Sequence, residues 1–426
     1  MTKFRDFDGR YQLANELHAR PFPVLTAPCR AAFVALKHTS PVTQESKAAD
    51  RAHLIALLDR FGAEHPQPEA THYSGKIGKH HLKWESHTEF VTYTIFGDGA
   101  ADVPFSAETF EMFPADWLEK TPGERMTSAL IRVELGEDVD EISNKLGNWF
   151  VPESLAVSQV LDGQGAMGSD FRIDPAGHVR LALFVSPEMG AHRIGRIVQR
   201  LCEIETYKTM AMLGLMESRR LGGRLAEMDG ELAALVGEMR EEGAGAAATL
   251  DRLLKVSAEL ETVLAETVFR FGATRAYARL VNQRIEVLRE TRMGGRQTFA
   301  EFMMRRFDPA MRTVEATETR LNGMAERAER AANLLRTRVD VDRSLQNQEL
   351  LKSMDRRADL QLRLQRTVEG LSVVAVSYYA VNILGYLIAP LFEQANISKG
   401  WGMAVLTVFV IALVWLVIQR IRKSVE

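Results

Sequence analysis

Eight of the ten histidines precede residue 90, and four of them, His72, His80, His81 and His87, lie close to Glu85 and Glu89. Imidazole and carboxylate are the ligand types of zinc and other divalent ions. His72, His81, Glu85 and His87 are therefore candidate metal ligands. The spacing argues against them, because no pair has a standard chelating separation. His81, Lys83, Glu85, His87 and Glu89 alternate with Leu82 and Trp84, and residues two apart share one face of a strand. The competing expectation is a solvated strand face with Leu82 and Trp84 behind it. A second polar cluster, Glu16-Leu-His18-Ala-Arg20-Pro21, reads as a helix end with cations at its C-terminal turn or as a docking element for another subunit. Ser169-Asp170-Phe171-Arg172 predicts an ion pair at a strand edge. The sequence carries no phosphate loop, no GxSxG elbow and no HExxH motif, so neither an enzyme nor a bound cofactor is expected.

The other informative residues lie in an uncharged run, Leu371 to Phe392, which reads LSVVAVSYYAVNILGYLIAPLF. As a helix it is ~33 Å long, enough for a ~30 Å hydrocarbon core. Leu371, Ala375, Tyr378, Asn382, Gly385 and Ala389 form one stripe of this helix, continuing a row of Gln361, Leu364 and Val368 upstream. An Asn in hydrocarbon needs a partner or water, and Gly385 and Ala389 allow close helix approach. The stripe is either polar and small-residue packing between helices or the lining of a pore in an oligomer. A second uncharged run, Trp401 to Ile418, follows a short polar connection, Glu393 to Lys399. Arg363 and Arg366 precede the first run, and Arg420, Arg422 and Lys423 follow the second. Basic flanks mark the cytoplasmic side. The expectation is a two-helix transmembrane hairpin with both termini cytoplasmic.

Three regions are expected to carry these residues. Residues 1–185 read as a cytoplasmic α+β domain. Strands are predicted at Ala31–Leu36, Leu82–Trp84, Thr88–Phe96, Met126–Leu135, Leu155–Leu161, Asp170–Ile173 and Val179–Val185. Helices are predicted at Gln44–Phe61, Pro114–Leu118 and Asp138–Leu146, with Asp174-Pro-Ala-Gly177 as a hairpin turn. Residues 186–370 read as a helical stalk. Its first helix starts at Ser186-Pro187-Glu188, breaks are expected at Gly222-Gly223 and Gly243-Ala-Gly245, and another helix runs from Ala246 to Arg292. Met303, Phe307, Ala310, Val314, Thr317, Leu321, Met324, Ala328, Ala331 and Leu335 then follow a 3.5-residue repeat, the signature of a supercoiled seam. Its partner is another subunit or another helix of its own chain. Asp308-Pro309 marks a restart, and no Pro or Gly interrupts Ala325 to Glu369, so one helix is expected to run on into the first span. Residues 371–426 form the hairpin and a basic tail.

Composition bounds the rest. The chain has 426 residues with a formal net charge of -3, which gives no concentrated basic face for nucleic acid. Cys29 and Cys202 match no zinc or redox spacing and read as thiols in a reducing compartment. The first residues alternate charged and aromatic side chains, so no signal peptide is expected ahead of the fold.

The segments ELHARP (16–21), KWESHTEF (83–90), Gly195 to Leu215 and, above all, Leu335 to Tyr386 resemble a bacterial family of uncharacterised membrane proteins, the domain-of-unknown-function family 3422. The resemblance spans nearly the whole chain and implies no established activity. In layout the chain is also similar to CorA-type magnesium channels: an α/β domain, long helices, then two spans and a basic tail. Those channels carry Gly-Met-Asn after the first span, where Ala389-Pro-Leu-Phe392 stands here, and Gly402-Met403-Ala404 lacks the Asn. The likeness implies a homo-oligomer with the first span at the pore. The expected function is an oligomeric bacterial inner-membrane ion channel or transporter with a metal cation as a candidate partner. The alternative is a non-transporting membrane-anchored scaffold or sensor.

Overall fold

The computed structural model describes residues 6–11, 14, 22–39, 42–239, 245–394 and 398–425. It divides into two compact units, Met1–Arg240 with Arg252–Arg330, and Glu241–Asp251 with Ala331–Glu426.

The first unit is built on a nine-stranded sheet: β1 (Cys29–Lys37), β2 (His72–Ile77), β3 (His80–Ser86), β4 (Phe90–Asp98), β5 (Glu124–Leu135), β6 (Ala156–Val160), β7 (Gly165–Ser169), β8 (Val179–Val185) and β9 (Thr291–Arg292). The spatial order is β2-β3-β4-β1-β5-β8-β7-β6-β9. Among the described strands only β5 and β8 pair in parallel, apart from an isolated parallel bridge from Ala156 to Gln297. The interior strand β1 reads CRAAFVALK and is buried on both faces, because helices cover both sides. A strand packed on two sides needs a continuous apolar run rather than alternation.

One face carries α1 (Gln44–Phe61), a 3-10 turn (Ala107–Met112), α2 (Ala115–Leu118) and α3 (Val139–Trp149). Thr43 and Ser46 close a capping box at the start of α1, and Gly62 ends it at a left-handed φ of 60°, where a residue without Cβ is unstrained. Leu54, Leu57 and Leu58 of α1 pack with Leu82, Trp84, Tyr93 and Ile95. Ile142 and Leu146 of α3 pack on Ala182 and Phe184. The opposite face receives α4 (Ala191–Glu238), the end of α5 (Ala246–Glu286) and α6 (Phe299–Arg306). There Phe33, Ile131, Leu181 and Leu183 meet Ile194, Ile197, Val198, Leu201 and Ile204.

Several sequence expectations change. The strand expected at Asp170–Ile173 is displaced to β7, leaving an isolated bridge from Ile173 to Val179. Asp170 instead turns inward to Arg180 at 3.0 Å, side chain fully buried, and Arg172 donates to Ser154 Oγ at 2.9 Å. The expected Asp170–Arg172 pair therefore does not form, because Arg180 on the neighbouring strand reaches the carboxylate first. Helix α4 starts at Ala191, not at Ser186-Pro187-Glu188, which form a turn closed by Met189 N–H on the Ser186 carbonyl. No break occurs at Gly222-Gly223: both glycines face open space, while Leu221, Leu225 and Met228 on the same helix are buried. The helix-propensity loss of about 1 kcal/mol per Gly is smaller than the burial of that stripe. Helix α5 stops at Glu286, and Thr291–Arg292 adds β9 to the sheet beside β6. The polar cluster 16–21 and most of the expected break at 243–245 lie outside the described residues.

After α6 the chain restarts at Asp308 and forms α7 (Asp308–Gln394) as one helix of 87 residues. Its residues up to Arg330 belong to the first unit. There Val314, Leu321, Met324 and Ala328 are buried, and the flanking Arg320 and Arg327 bind Asp229 of α4 at 3.0 and 2.5 Å. Glu318 accepts from Arg275 of α5. This part of the 3.5-residue seam is thus filled by helices of its own chain. The second unit holds the rest of α7 and α8 (Lys399–Val425). Among the described residues two helices are long and apolar enough to cross a membrane: one contains the 371–391 stretch, and the other spans Lys399–Arg420 with a mean hydropathy of 2.6 in its best window.

Candidate functional site

The first candidate site is the face of β3 and β4 under α4. Lys83 is 4% exposed and lies 3.2 Å from Glu85. Its Nζ donates to Gln199 Oε1 of α4 at 2.5 Å. Gln199 Nε2 donates to Glu203 Oε1 at 2.8 Å, and Glu203 also accepts from Arg284 of α5. Two residues beyond Glu203, Glu205 accepts from Thr127 of β5 at 3.0 Å and pairs with Lys208 at 2.7 Å. In the β3–β4 connection, Glu89 accepts from Arg270 and, at 3.1 Å, from the Tyr277 hydroxyl, both on α5. Burial and then the Glu89 charge push the Tyr277 phenol well above its ordinary range.

The face expected to be solvated is therefore an interior polar layer. The period-two pattern places Lys83 and Glu85 on one side correctly, but helix α4 covers that side. A buried charge is retained where an opposite charge and hydrogen bonds meet it, and α4 supplies both. Leu82 and Trp84 pack on the other side of the sheet with α1. His87 and Glu89 leave the strand altogether, because Ser86 ends β3 and the chain turns before β4.

The layer encloses a cavity of about 20 Å³ bounded by Phe33, Lys83, Glu85, Gln199, Cys202 and Tyr207 among others, room for one water molecule. Burial pushes the Cys202 thiol far above its ordinary value, and Cys29 is raised to about 12, by burial first and the Asp98 charge second. Both thiols stay protonated at neutral pH and are poor nucleophiles.

The candidate metal ligands do not converge. His72 sits opposite Glu85 across β2 and β3, while His81 Nε2 is 2.8 Å from Ser74 Oγ and is lowered by burial. His87 stacks on Phe90 with ring centres 4.4 Å apart. Among the described residues no group of three His, Cys, Asp or Glu side chains could hold a metal ion. Gln199, Glu203, Glu205, Arg270 and Arg284 are not among the residues that type and spacing single out. The signal in the sequence is three polar residues, Gln199, Glu203 and Glu205, interspersed with the apolar Val198, Leu201 and Ile204 of α4.

The second candidate site is the stripe on α7. Gly385 meets α8: a Cβ built there would fall 2.8 Å from Met403 Sδ. Ser377 is likewise buried, at 5% exposure. Leu371, Ala375 and Tyr378 are exposed, and Asn382 is partly so. The stripe therefore splits, with Gly385 toward α8, Leu371, Ala375 and Tyr378 on a free face, and Asn382 and Ala389 partly exposed. Asn382 Nδ2 donates to the Tyr378 carbonyl at 3.1 Å, so part of its amide is satisfied within its own helix.

No curated protein and no solved structure matches this chain, so the layout likeness to magnesium channels gains no support from those comparisons. The family model described as protein of unknown function (DUF3422) matches residues 5–425. The segments that carry the resemblance lie along that whole match, and the chain belongs to the DUF3422 family.

Proposed function

We propose that this chain is a membrane-anchored homo-oligomer whose first spans surround an ion-conducting path. In this reading α8 and the 371–391 part of α7 cross the bacterial inner membrane as a hairpin, with lipid as the surrounding partner. Arg363, Arg366 and Arg420 lie on the cytoplasmic side by the distribution of basic residues. The observation that carries conduction is the split stripe. Gly385 is used against α8, whereas Leu371, Ala375, Tyr378 and the mid-span amide of Asn382 are left on a face that α8 does not cover. A polar group on a free face in hydrocarbon is stabilised by water or a neighbouring helix. A ring of such residues around an axis supplies both. The conducted species would be a small ion, and a metal cation is one candidate.

The test is flux in proteoliposomes. Asn382→Asp is expected to change ion flux while assembly persists, because a ring of charges alters selectivity directly. No flux of any common mono- or divalent ion through the unsubstituted protein would remove the conduction reading. A second reading, a membrane-anchored scaffold or sensor, is favoured by the Asn382 bond to the Tyr378 carbonyl, which reduces the need for water in the span. Under it Asn382→Leu leaves permeability unchanged.

A further inference from the structure

Every residue from 340 to 372 is exposed, although the stretch is continuous helix. An isolated helix draws little stability from its own hydrogen bonds, so the side-chain pattern shows what it is shaped to meet. Six positions continue upstream the 3.5-residue spacing of Leu371, Ala375, Tyr378 and Asn382: Leu350, Met354, Arg357, Gln361, Leu364 and Val368. The two flanks of that row hold Leu351, Ala358, Leu360 and Gln365. Charges collect on the opposite face, at Lys352, Asp355, Arg356, Asp359, Arg363 and Arg366, with both signs interleaved.

In two-stranded coiled coils the flanking positions carry the charges that pair across the seam. Here the flanks are uncharged, so the face available for helix contact is wide enough for two neighbours. We infer that the 347–368 stretch of α7 packs against second and third copies of this chain, in parallel and in register, in an assembly larger than a dimer. The inference rests on the membrane reading above, because copies inserted with one topology point their helices the same way. The area agrees with this. A strip from Asn347 to Asn382 is ~54 Å long and ~10 Å wide. Each contact then buries about 1,100 Å² in total, near the ~1,000 Å² that a specific interface needs. The stalk portion alone falls short, so the seam must run on into the span. A groove of about 520 Å³ at the junction has the same row as its wall, with Leu364, Val368 and Ser372 on one side and Ile418 on the other. This groove would receive side chains of the adjacent copy. Gln361 and Arg357 suit a ring of several helices, whose axis can hold water, better than the dry seam of a pair.

The experiment uses the full chain in nanodiscs. Native mass spectrometry is expected to give three or more copies. Under a mild oxidant, Leu350→Cys and Met354→Cys are expected to crosslink between copies at least tenfold faster than Lys352→Cys on the charged face. Leu364→Glu is expected to reduce the copy number, whereas Leu362→Glu, two residues away on the outer face, leaves it unchanged. A monomer or dimer, or equal crosslinking at Lys352→Cys and Leu350→Cys, overturns the proposal. So does a loss of assembly in Leu362→Glu that Leu364→Glu does not share. Mass and crosslinks are read without any flux measurement, so an assembly that crosslinks at Leu350 but conducts nothing upholds the seam and removes only the conduction reading.

Discussion

The two units handle misfit residues in opposite ways. In the first, charged side chains at interior positions find partners along the same chain: Lys83 with Glu85 and Gln199, Glu203 with Arg284, and Glu89 with Arg270 and Tyr277. In the second, the misfits are apolar and stand outside. Leu350, Leu351, Met354, Leu364 and Val368 are each more than half exposed. A sheet with helices on both faces completes itself within one chain. A helix whose face is uncovered and largely apolar does not complete itself within one chain, and under the proposals above lipid and other copies cover it. The first unit is accordingly expected to be a self-sufficient folding unit, and the second is not.

The largest effect expected from this contrast comes from cutting the chain after Arg366. The fragment keeps all of the first unit and is expected to be monodisperse in aqueous buffer, with helix and strand signatures in circular dichroism. A fragment that aggregates would mean that the first unit, or the 331–366 stretch of α7 that the fragment retains, self-associates without the spans.

Breaking the interior polar layer is next. Lys83→Met removes the buried ammonium that meets Glu85 and Gln199 and is expected to cost about 3–5 kcal/mol in urea unfolding. Adding Glu85→Leu is expected to recover part of it, since removing both charges also removes their desolvation penalty. A cost below about 1 kcal/mol for the single variant would place that face in water after all.

Close helix approach gives a smaller effect. A Cβ at Gly214 would fall 2.3 Å from Thr274 Oγ1 of α5, so Gly214→Ala is expected to cost about 1–3 kcal/mol by overpacking. Gly223→Ala meets nothing within 4 Å and is expected to stabilise by a few tenths of a kcal/mol to ~1 kcal/mol.

The smallest effect is on pH dependence. His53 is buried against Trp117, with Nδ1 3.1 Å from Tyr93 Oη and Nε2 3.1 Å from the Trp117 carbonyl, and burial lowers its pKa. The unfolded chain then binds this proton more readily than the folded one. The His53 contribution is complete above the ordinary value of about 6.5 and falls away as pH drops below it, by at most ~1.4 kcal/mol per pH unit. Melting temperature is expected to decline from pH 6.5 to 5.5, and less steeply in His53→Gln. Asp50 and Glu290, raised by burial, act in the opposite sense at lower pH, so the comparison belongs above pH 5.5.

Local signals in the sequence mark out most elements of the first unit. The helix Gln44–Phe61 is framed by Thr43 and Gly62, residues whose side-chain oxygen and backbone freedom act on their own neighbours. The strand Val179–Val185 and the restart at Asp308-Pro309 are likewise read from adjacent residues. What could not be read is which face of an element is covered. Alternation puts Lys83 and Glu85 on one side of a strand and says nothing about a helix that begins more than a hundred residues later. Strand β9 has only two residues and exists because β6 offers it an edge.

Composition and period alone determine that two stretches, 371–391 and Trp401–Ile418, are long and apolar enough to cross a membrane, and that α7 runs without a stop, since both follow from residues adjacent in the chain. Tertiary structure alone decided that the seam of Val314, Leu321, Met324 and Ala328 is filled by helices of the first unit, while the row from Leu350 to Val368, which has the same period in a different phase, is open. The same repeat is written in both halves, and a repeat specifies a packing face but not its occupant, which depends on what the rest of the chain brings within reach.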